Sequence, residues 1–183
     1  MTGHICPWWG GYFIDNRLRR LVHNPEAMLG PYVASGMTVM DVGCGMGFFA
    51  IALAKMVGDA GRVLAVDLQP RMLEALRRRA AKAGVAERIQ THVCRPDGLG
   101  VSTEAQFALA FAMVHEVPDA ERLVAEIRDC LQPGGKFFVA EPRLHVSGAR
   151  FQATLRWIAD AGLTPCDEPK VRWCRAAVFV KKA

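Results

Sequence analysis

The stretch VMDVGCGMGFF, residues 39–49, joins a short apolar run to three glycines at every second position and then to two phenylalanines. Glycine loses more backbone freedom on folding than any other residue, so this run indicates a backbone that something must approach closely. In a strand, glycine turn and helix arrangement, the free N–H groups at the start of the helix point toward a bound ligand. We therefore predict a ligand site on this loop.

The sequence around the loop alternates between strand and helix patterns. Strand patterns occupy residues 37–42, 62–68, 88–93, 106–114, 136–142 and 175–182, and helix patterns occupy residues 47–58, 70–84, 119–131 and 149–162. A further helix is expected to begin at Asn24-Pro25-Glu26 and to run toward Val33 before Gly36 ends it. Residues 94–105 are predicted to be mostly loop. Such alternation predicts βαβ units and a parallel sheet, with ligands bound at the carboxyl ends of the strands.

The bulk composition fits one globular domain. The chain has 183 residues, of which 51% are hydrophobic and 22% charged, and its net charge is +5. This length suits a single domain over residues 1–183, in which residues 1–23 form an aromatic and then basic lead-in. The cysteines are scattered without a CxxC pair, which favours a reducing compartment over a disulfide framework. Because we see no secretory pattern and no apolar run of membrane-spanning length, we expect a cytoplasmic protein.

Two classes of cofactor bind to glycine loops of this kind, and the spacing separates them. A dinucleotide fingerprint, G-x-G-x-x-G, that starts at Gly43 needs its third glycine where this chain has Phe48. The pattern here is instead D-x-G-x-G-x-G, which opens with Asp41. A carboxylate repels a diphosphate but attracts an ammonium or sulfonium group. Asp41 is therefore either a partner for a positively charged ligand or a hydrogen-bonded strand end.

A second acid ends the next predicted strand. Asp67 lies about 20 residues beyond the last glycine of the loop, where a carboxylate can accept both hydroxyl groups of a ribose. Farther along, Pro133-Gly134-Gly135 forms a turn between a predicted helix and a predicted strand.

Together, the D-x-G-x-G-x-G loop, Asp67 and the Pro-Gly-Gly turn resemble the motifs of class I S-adenosylmethionine (SAM)-dependent methyltransferases. The arrangement is most similar to the group that includes ubiquinone/menaquinone-biosynthesis methyltransferases and many small-molecule enzymes. The resemblance implies an α/β fold: a Rossmann-like, seven-stranded, mostly parallel sheet in the order 3-2-1-4-5-7-6, with strand 7 antiparallel and helices on both faces. Residues 174–182 would form strand 7, and the stretch around residues 163–169 would lead from or contain strand 6.

The resemblance also implies which residues hold the cofactor SAM. They are Asp41, Gly43, Cys44, Gly45, Gly47, Phe48, Asp67, Leu68, Met72, Cys94, Arg95, Asp97 and Met113. Leu68 and Met72 are expected to offer apolar surface near the adenine. Family members often have an acid after strand 3 for the adenine amino group, and here either Asp97 takes that role or the backbone and Arg95 do. The family's Phe-Asp at the start of strand 4 is Phe107-Ala108 in this chain, so no role is transferred to that position.

Candidates for the acceptor side follow strands 4 and 5. His115 can act as a general base or orient the acceptor, and it can equally cap a helix or pack. Glu116 can hold His115 or the substrate, or begin the next helix. Glu141 and His145 are expected to face the same rim, and a carboxylate at a strand end inside a cleft is unusual, which makes Glu141 a catalytic candidate beside His115 and Glu116. A base is needed only where the acceptor atom must lose a proton, since methyl transfer otherwise depends mainly on alignment.

The lead-in, HICPWWGGYFIDNRLRR at residues 4–20, is the most distinctive segment outside the cofactor motifs. Its aromatic side chains are Trp8, Trp9, Tyr12 and Phe13. They form either a hydrophobic flap packed on the sheet or, together with His145 on the substrate side, a lid that closes the acceptor pocket and excludes water. His4 and Cys6 can supply metal ligands together with His115 or His145, but two ligands in this segment are weak evidence, so no metal site is predicted.

Three functions follow from these features. The first is methyl transfer from SAM to a small-molecule acceptor, with oxygen, nitrogen, carbon or sulfur as the acceptor atom. The second, an NAD-dependent oxidoreductase, is disfavoured by the missing glycine at position 48. The third is a non-catalytic SAM-binding or interaction protein on the same fold. No N/D-P-P-Y/F tetrapeptide follows strand 4, which disfavours a nucleic-acid acceptor, and the sequence leaves a homodimer open.

Overall fold

The computed structural model describes residues 22–182 of the chain. Within them, the helices are α1 (Pro25–Leu29), α2 (Phe48–Val57), α3 (Pro70–Lys82), α4 (Ala120–Cys130) and α5 (Gly148–Asp160). The strands are β1 (Thr38–Val42), β2 (Arg62–Asp67), β3 (Ile89–Val93), β4 (Ala105–Phe111), β5 (Leu131–Pro142), β6 (Leu163–Asp167) and β7 (Cys174–Lys181). Short 3-10 turns lie at Ala86–Arg88 and Val114–Glu116. The predicted lid residues Trp8, Trp9, Tyr12 and Phe13, with His4 and Cys6, lie outside the described residues.

The strands form one seven-stranded sheet in the order β3-β2-β1-β4-β5-β7-β6. β1 to β5 pair in parallel, whereas β7 is antiparallel to both β5 and β6. The strand order and the antiparallel β7 predicted from the resemblance are therefore confirmed. Because the chain leaves β3 at one edge and returns as β4 on the far side of β1, the strand order reverses between β1 and β4. This is the position at which α/β sheets bind ligands.

Helices cover both faces of the sheet, as expected. α1, α2 and α3 pack on one face through residues such as Leu53 and Leu76, and α4 and α5 pack on the other through residues such as Ile127. Neighbouring residues of one strand contribute to opposite faces: Val39 belongs to the first core and Met40 to the second. Burial on both faces explains why these strands are continuous apolar runs in the sequence.

The first helix is shorter than predicted. α1 ends at Leu29 and does not run toward Val33. Its start agrees with the prediction, since the side chain of Asn24 accepts the Ala27 N–H at 3.1 Å. Pro31 explains the early end, because proline has no N–H to continue the helical hydrogen-bond ladder.

Two strand boundaries also differ from the prediction. β4 ends at Phe111 and not at residue 114, because Ala112 adopts a left-handed conformation with φ of 57°. β5 begins at Leu131 and not at residue 136: it pairs with β4 first at Ala105–Leu131, and the register then shifts to Phe107–Lys136. The predicted Pro-Gly-Gly turn therefore lies inside a longer strand, at a bulge where β5 has three more residues than β4 between these two pairs.

The remaining features agree with the expectations. Residues 94–104 contain no helix, Pro70 begins α3, and β6 lies within the stretch that was expected to lead from or contain it. Among the helices between residues 22 and 182, none combines the length and the apolar character that crossing a bilayer requires.

Candidate functional site

The glycine loop connects the carboxyl end of β1 to the start of α2. Gly43, Gly45 and Gly47 have φ values of 69°, 54° and 86°, a region that favours glycine. A Cβ on Gly43 would lie 2.8 Å from Met113 Cγ, and one on Gly47 would lie 2.0 Å from Leu76 Cδ1. A Cβ on Gly45 would meet nothing within 4 Å. Gly43 and Gly47 therefore allow the loop to pack closely on Met113 and Leu76, whereas Gly45 faces open space.

Asp67, at the carboxyl end of β2, fastens this loop to the sheet. It is 9% exposed, and its Oδ2 accepts the Gly45 N–H at 2.8 Å. Its Oδ1 accepts the Gln69 N–H at 2.9 Å. Burial raises the pKa of the Asp67 carboxyl, and the backbone hydrogen bonds act against that rise. The carboxylate thus lies beside the one glycine of the loop that faces open space.

Asp41 is the second buried acid of the site. It lies in β1, aligned with Ala65 of β2 and Leu109 of β4, and is 2% exposed. Asp41 also affects the loop electrostatically. Burial raises the pKa of the Cys44 thiol, and the charges of Asp41 and Asp67 raise that pKa further. The inner side of the loop is therefore negatively charged, which suits a cationic ligand group and not a diphosphate.

The residues expected near the adenine lie at the ends of β2 and β3. The Cys94 N–H donates to the Asp67 carbonyl at 3.0 Å, which places Cys94 at this edge. Arg95 closes a tight turn with Gly98, and the exposed Asp97 lies within that turn. The roles of Asp97, Arg95 and the backbone toward the adenine stay predictions.

The apolar residues predicted for the cofactor differ in exposure. Leu68 is half-buried, whereas Met72 is 5% exposed and packs with Met46 and Ala75. Phe48 begins α2 and packs edge-to-face on Phe49 with ring centroids 4.9 Å apart. Leu68 and Phe48 therefore keep some surface free for a ligand, and Met72 keeps little.

A buried histidine–carboxylate pair lies at the carboxyl ends of β4 and β5. Nδ1 of His115 lies 2.5 Å from Oε2 of Glu141, and the backbone N–H of His115 donates to Oε1 of Glu141 at 3.3 Å. The side chains are 14% and 1% exposed, respectively. The hydrogen bond to Glu141 raises the pKa of His115, with burial and the charge of Arg150 acting in the opposite direction. Glu141 thus holds His115 at two points, a role that the sequence analysis considered for Glu116 and not for Glu141.

The other acceptor-side candidates surround this pair. Oε1 of Glu116 lies 3.9 Å from Nε2 of His115. The ring centroid of the exposed His145 lies 6.1 Å from that of His115. Glu141 and His145 therefore belong to the same rim, with Glu141 buried and His145 at the surface. Met113 and the left-handed Ala112 connect the rim to the glycine loop, and backbone strain of this kind is concentrated at functional sites.

A pocket of about 390 Å³ adjoins His115 on the side of α4 and α5. Arg150, Thr154 and Trp157 line it from one face of α5, where their spacing places them in successive turns. The Nη2 group of Arg150 donates to the His115 carbonyl oxygen at 2.8 Å. Arg150 was not predicted from the sequence, although it lies in the first turn of the helix that follows β5 and shares a helix face with residues 154 and 157, which is a usable signal.

Metal ligands do not cluster in this part of the chain. Among residues 22–182, no group of three His, Cys, Asp or Glu side chains is arranged to hold a metal ion.

Comparisons with known proteins agree with this geometry. The model of the methyltransferase domain family matches residues 39–135, which span β1 to the bulge of β5. An arsenite methyltransferase of Halobacterium salinarum is 30% identical over 119 residues, 64% of this chain and 30% of that protein. A ubiquinone biosynthesis O-methyltransferase of Xylella fastidiosa is 32% identical over 140 residues, 73% of this chain and 53% of that protein. The chain therefore spans about half or less of the length of these curated relatives.

The fold has a near-complete counterpart among solved structures. A SAM-dependent methyltransferase from Aquifex aeolicus superposes with a TM-score of 0.87 and 22% sequence identity. The superposition covers 97% of this chain and 100% of that one. At this identity the likeness concerns the fold.

The site also fits the cofactor that this family uses. The open face of Gly45 leaves room for a ligand against the backbone, and the buried acids Asp41 and Asp67 lie close to the loop. A sulfonium and an ammonium group carry the positive charge that such a site favours. The chain belongs to the methyltransferase domain family, whose members of this fold use S-adenosylmethionine as cofactor.

Proposed function

We propose that this chain transfers a methyl group from SAM to a small-molecule acceptor. One observation carries the proposal: an open glycine loop next to two buried carboxylates lies beside the His115–Glu141 pair, all at the carboxyl edge of the sheet. The loop supplies a place for the cofactor, and the pair supplies a group that can move a proton. The family match speaks against the nicotinamide alternative.

The glycine loop and its two acids would hold the cofactor. The backbone at Gly45 approaches the ligand, Asp67 accepts hydrogen bonds from ribose hydroxyl groups, and Asp41 balances positive charge. When bound, SAM supplies an activated methyl group on a positively charged sulfur, which becomes a neutral thioether after transfer. The protein therefore needs mainly to align the acceptor and to manage the acceptor's proton.

His115 is the residue we assign to that proton. Glu141 engages Nδ1 and fixes the ring, which leaves Nε2 as the atom that accepts a proton from an acceptor hydroxyl. Because the hydrogen bond to Glu141 raises its pKa, neutral His115 is a stronger base than an exposed histidine. As the acceptor oxygen gains the methyl group, its proton passes to His115 and then to solvent. Oxygen acceptors with a removable proton fit this arrangement best.

The pocket beside His115 supports a compact acceptor. Its volume of about 390 Å³ falls within the range of small-molecule sites. Glu116 and His145, close to the His115 ring, are candidates for acceptor contacts. The predicted lid, a cytoplasmic location and a homodimer stay predictions.

A binding titration with a matched control variant tests the cofactor site. Gly45→Ala places a methyl group in the open space of the loop, whereas Gly84→Ala makes the same change at another left-handed glycine whose Cβ meets nothing within 4 Å. Isothermal titration should show SAM binding to the wild type, at least about 10-fold weaker binding to Gly45→Ala and Asp67→Ala, and unchanged binding to Gly84→Ala. Binding of NAD in preference to SAM would overturn the proposal.

An acceptor screen separates an enzyme from a non-catalytic SAM-binding protein. Formation of S-adenosylhomocysteine is followed across classes of hydroxylated, amino and thiol acceptors, with wild type and His115→Ala compared. We expect turnover that His115→Ala lowers by about 10²-fold or more while SAM binding persists. Binding of SAM without turnover of any acceptor class would favour the non-catalytic alternative.

A further inference from the structure

The turn that carries His115 is held from outside by two elements. Within the turn, the Glu116 and Val117 N–H groups donate to the nearby carbonyls of Met113 and Val114, at 3.0 and 3.2 Å. Glu141, from the end of β5, contacts the ring and the N–H of His115. The third contact is with the carbonyl of the same residue: the His115 carbonyl oxygen accepts a hydrogen bond from Nη2 of Arg150 at 2.8 Å.

Arg150 is exposed, but the pocket beside the turn increases the importance of its hydrogen bond to the His115 carbonyl. Val114 is buried in the α4/α5 core, but beside it the pocket of about 390 Å³ lies between the turn and α5. Over that space the turn does not pack closely on the helix. The guanidinium of Arg150 reaches from α5 to the turn, and an arginine offers several donors in a rigid planar arrangement.

The backbone of Arg150 is held by two hydrogen bonds within α5 and its cap. Ser147 caps α5, its Oγ accepting the Arg150 N–H at 3.2 Å, and the Thr154 hydroxyl donates to the Arg150 carbonyl at 3.3 Å. Arg150 therefore connects a capped helix end with the loop of a proposed catalytic histidine.

We infer that Arg150 is a positioning residue: by holding the His115 carbonyl across the pocket, it keeps the turn Val114–Glu116 in the conformation in which Glu141 engages the His115 ring. This inference rests on the proposed role of His115, but not on the identity of the acceptor. Arg150 acts through His115 and need not contact substrate.

The consequence is visible in the free protein by NMR. Arg150→Ala removes the donor but leaves the backbone N–H that Ser147 caps, so α5 should persist. The Glu116 and Val117 amides should exchange with solvent at least about 10-fold faster, and the downfield Nδ1–H signal of His115 should broaden or vanish. The pKa of His115 should also fall, since its hydrogen bond to Glu141, the largest cause of the raised value, is weakened, and this outweighs the loss of the Arg150 charge.

Two further variants make the test specific. Arg150→Lys keeps the charge and one donor and should restore much of the His115 signal. Arg156→Ala removes an exposed arginine of the same helix and should change neither exchange nor signal. An Arg150→Ala protein whose Glu116 exchange and His115 signal match the wild type would overturn the inference and leave the proposed function standing. Loss of SAM binding in Gly45→Ala tests that function separately.

Discussion

Glu141 and His115 form the most constrained side-chain pair of the candidate site. The two residues are distant in sequence, and they meet because β4 and β5 are parallel neighbours whose carboxyl ends coincide. Both residues were predicted as candidates from their places after strands 4 and 5. Their pairing was not predicted: only Glu116 was considered as a partner of His115, because a local pattern favours the next residue in the chain over Glu141 on another strand.

This pair predicts a pH-dependent contribution to stability. Since Glu141 raises the folded-state pKa of His115, the pair's stabilisation is fully present below the unfolded value of about 6.5 and is lost as pH rises through the folded pKa. Glu141→Gln should therefore lower the free energy of unfolding by about 1.5–3 kcal/mol near pH 6 and by less near pH 9. Urea denaturation at both pH values, with an NMR titration of His115, measures this. An equal loss at both pH values would contradict the assignment.

At the scale of elements, some glycines of the loop are required by folding and not by ligand binding. Gly47 has a φ of 86°, and Leu76 occupies the space that a Cβ on Gly47 would take. Gly47→Ala should therefore destabilise the protein by about 2–5 kcal/mol, from the left-handed backbone and the overlap with Leu76 together. Gly84→Ala carries only the backbone cost, about 1–2 kcal/mol, and is the control. Thermal or urea unfolding that gives the two variants equal stability would show that α3 can yield to the added methyl group.

The turn before β7 supports a second prediction at this scale. The Cys174 N–H donates to the Val171 carbonyl at 3.1 Å, and Trp173 has φ of 60° while 60% exposed. The turn geometry favours glycine at that position, and the indole gains mainly a stacking contact with the Arg172 guanidinium, 5.0 Å from the ring centroid. Trp173→Gly should thus be more stable than Trp173→Ala by about 1 kcal/mol in urea unfolding. The reverse order would mean that the turn does not need a left-handed residue.

Some boundaries of helices and strands cannot be predicted from local sequence patterns. The end of α1 could have been predicted from Pro31, whose missing N–H stops the helix. The early start of β5 could not, because it depends on pairing of Leu131 with Ala105, a residue on another strand. Likewise, the break of β4 at Ala112 needs a left-handed alanine, which no sequence pattern announces.

At the scale of the whole molecule, the buried apolar residues form two large cores, one on each face of the sheet. Leu53 belongs to the core on the α2 face and Ile127 to the core on the α4 face, and both are fully buried. Alternating strands and helices predict a parallel sheet with two covered faces, but the strand order came from the family resemblance. Periodicity says which residues are buried and not which strand lies beside which.

Separate cores predict additive mutations. Leu53→Ala should cost about 2–5 kcal/mol and Ile127→Val about 0.5–1.5 kcal/mol. Because the sheet lies between them, the double variant should lose the sum within about 0.5 kcal/mol. Urea denaturation of the four proteins gives the coupling energy. A coupling above about 1 kcal/mol would show that strain crosses the sheet.

The hydrogen bond from Gly45 to Asp67 has a consequence for how a ligand is received. It fastens the loop to β2 without help from a ligand, so the cost of ordering the loop falls on folding and is not subtracted from affinity. Oδ2 of Asp67 accepts the Gly45 N–H and Oδ1 accepts the Gln69 N–H, and a carboxylate has about four acceptor positions in all, which leaves capacity for a ligand hydroxyl. We therefore expect the cofactor to bind in a single kinetic step, with a stopped-flow rate that rises linearly with its concentration. The glycine loop is a receptor whose shape is set before its ligand arrives.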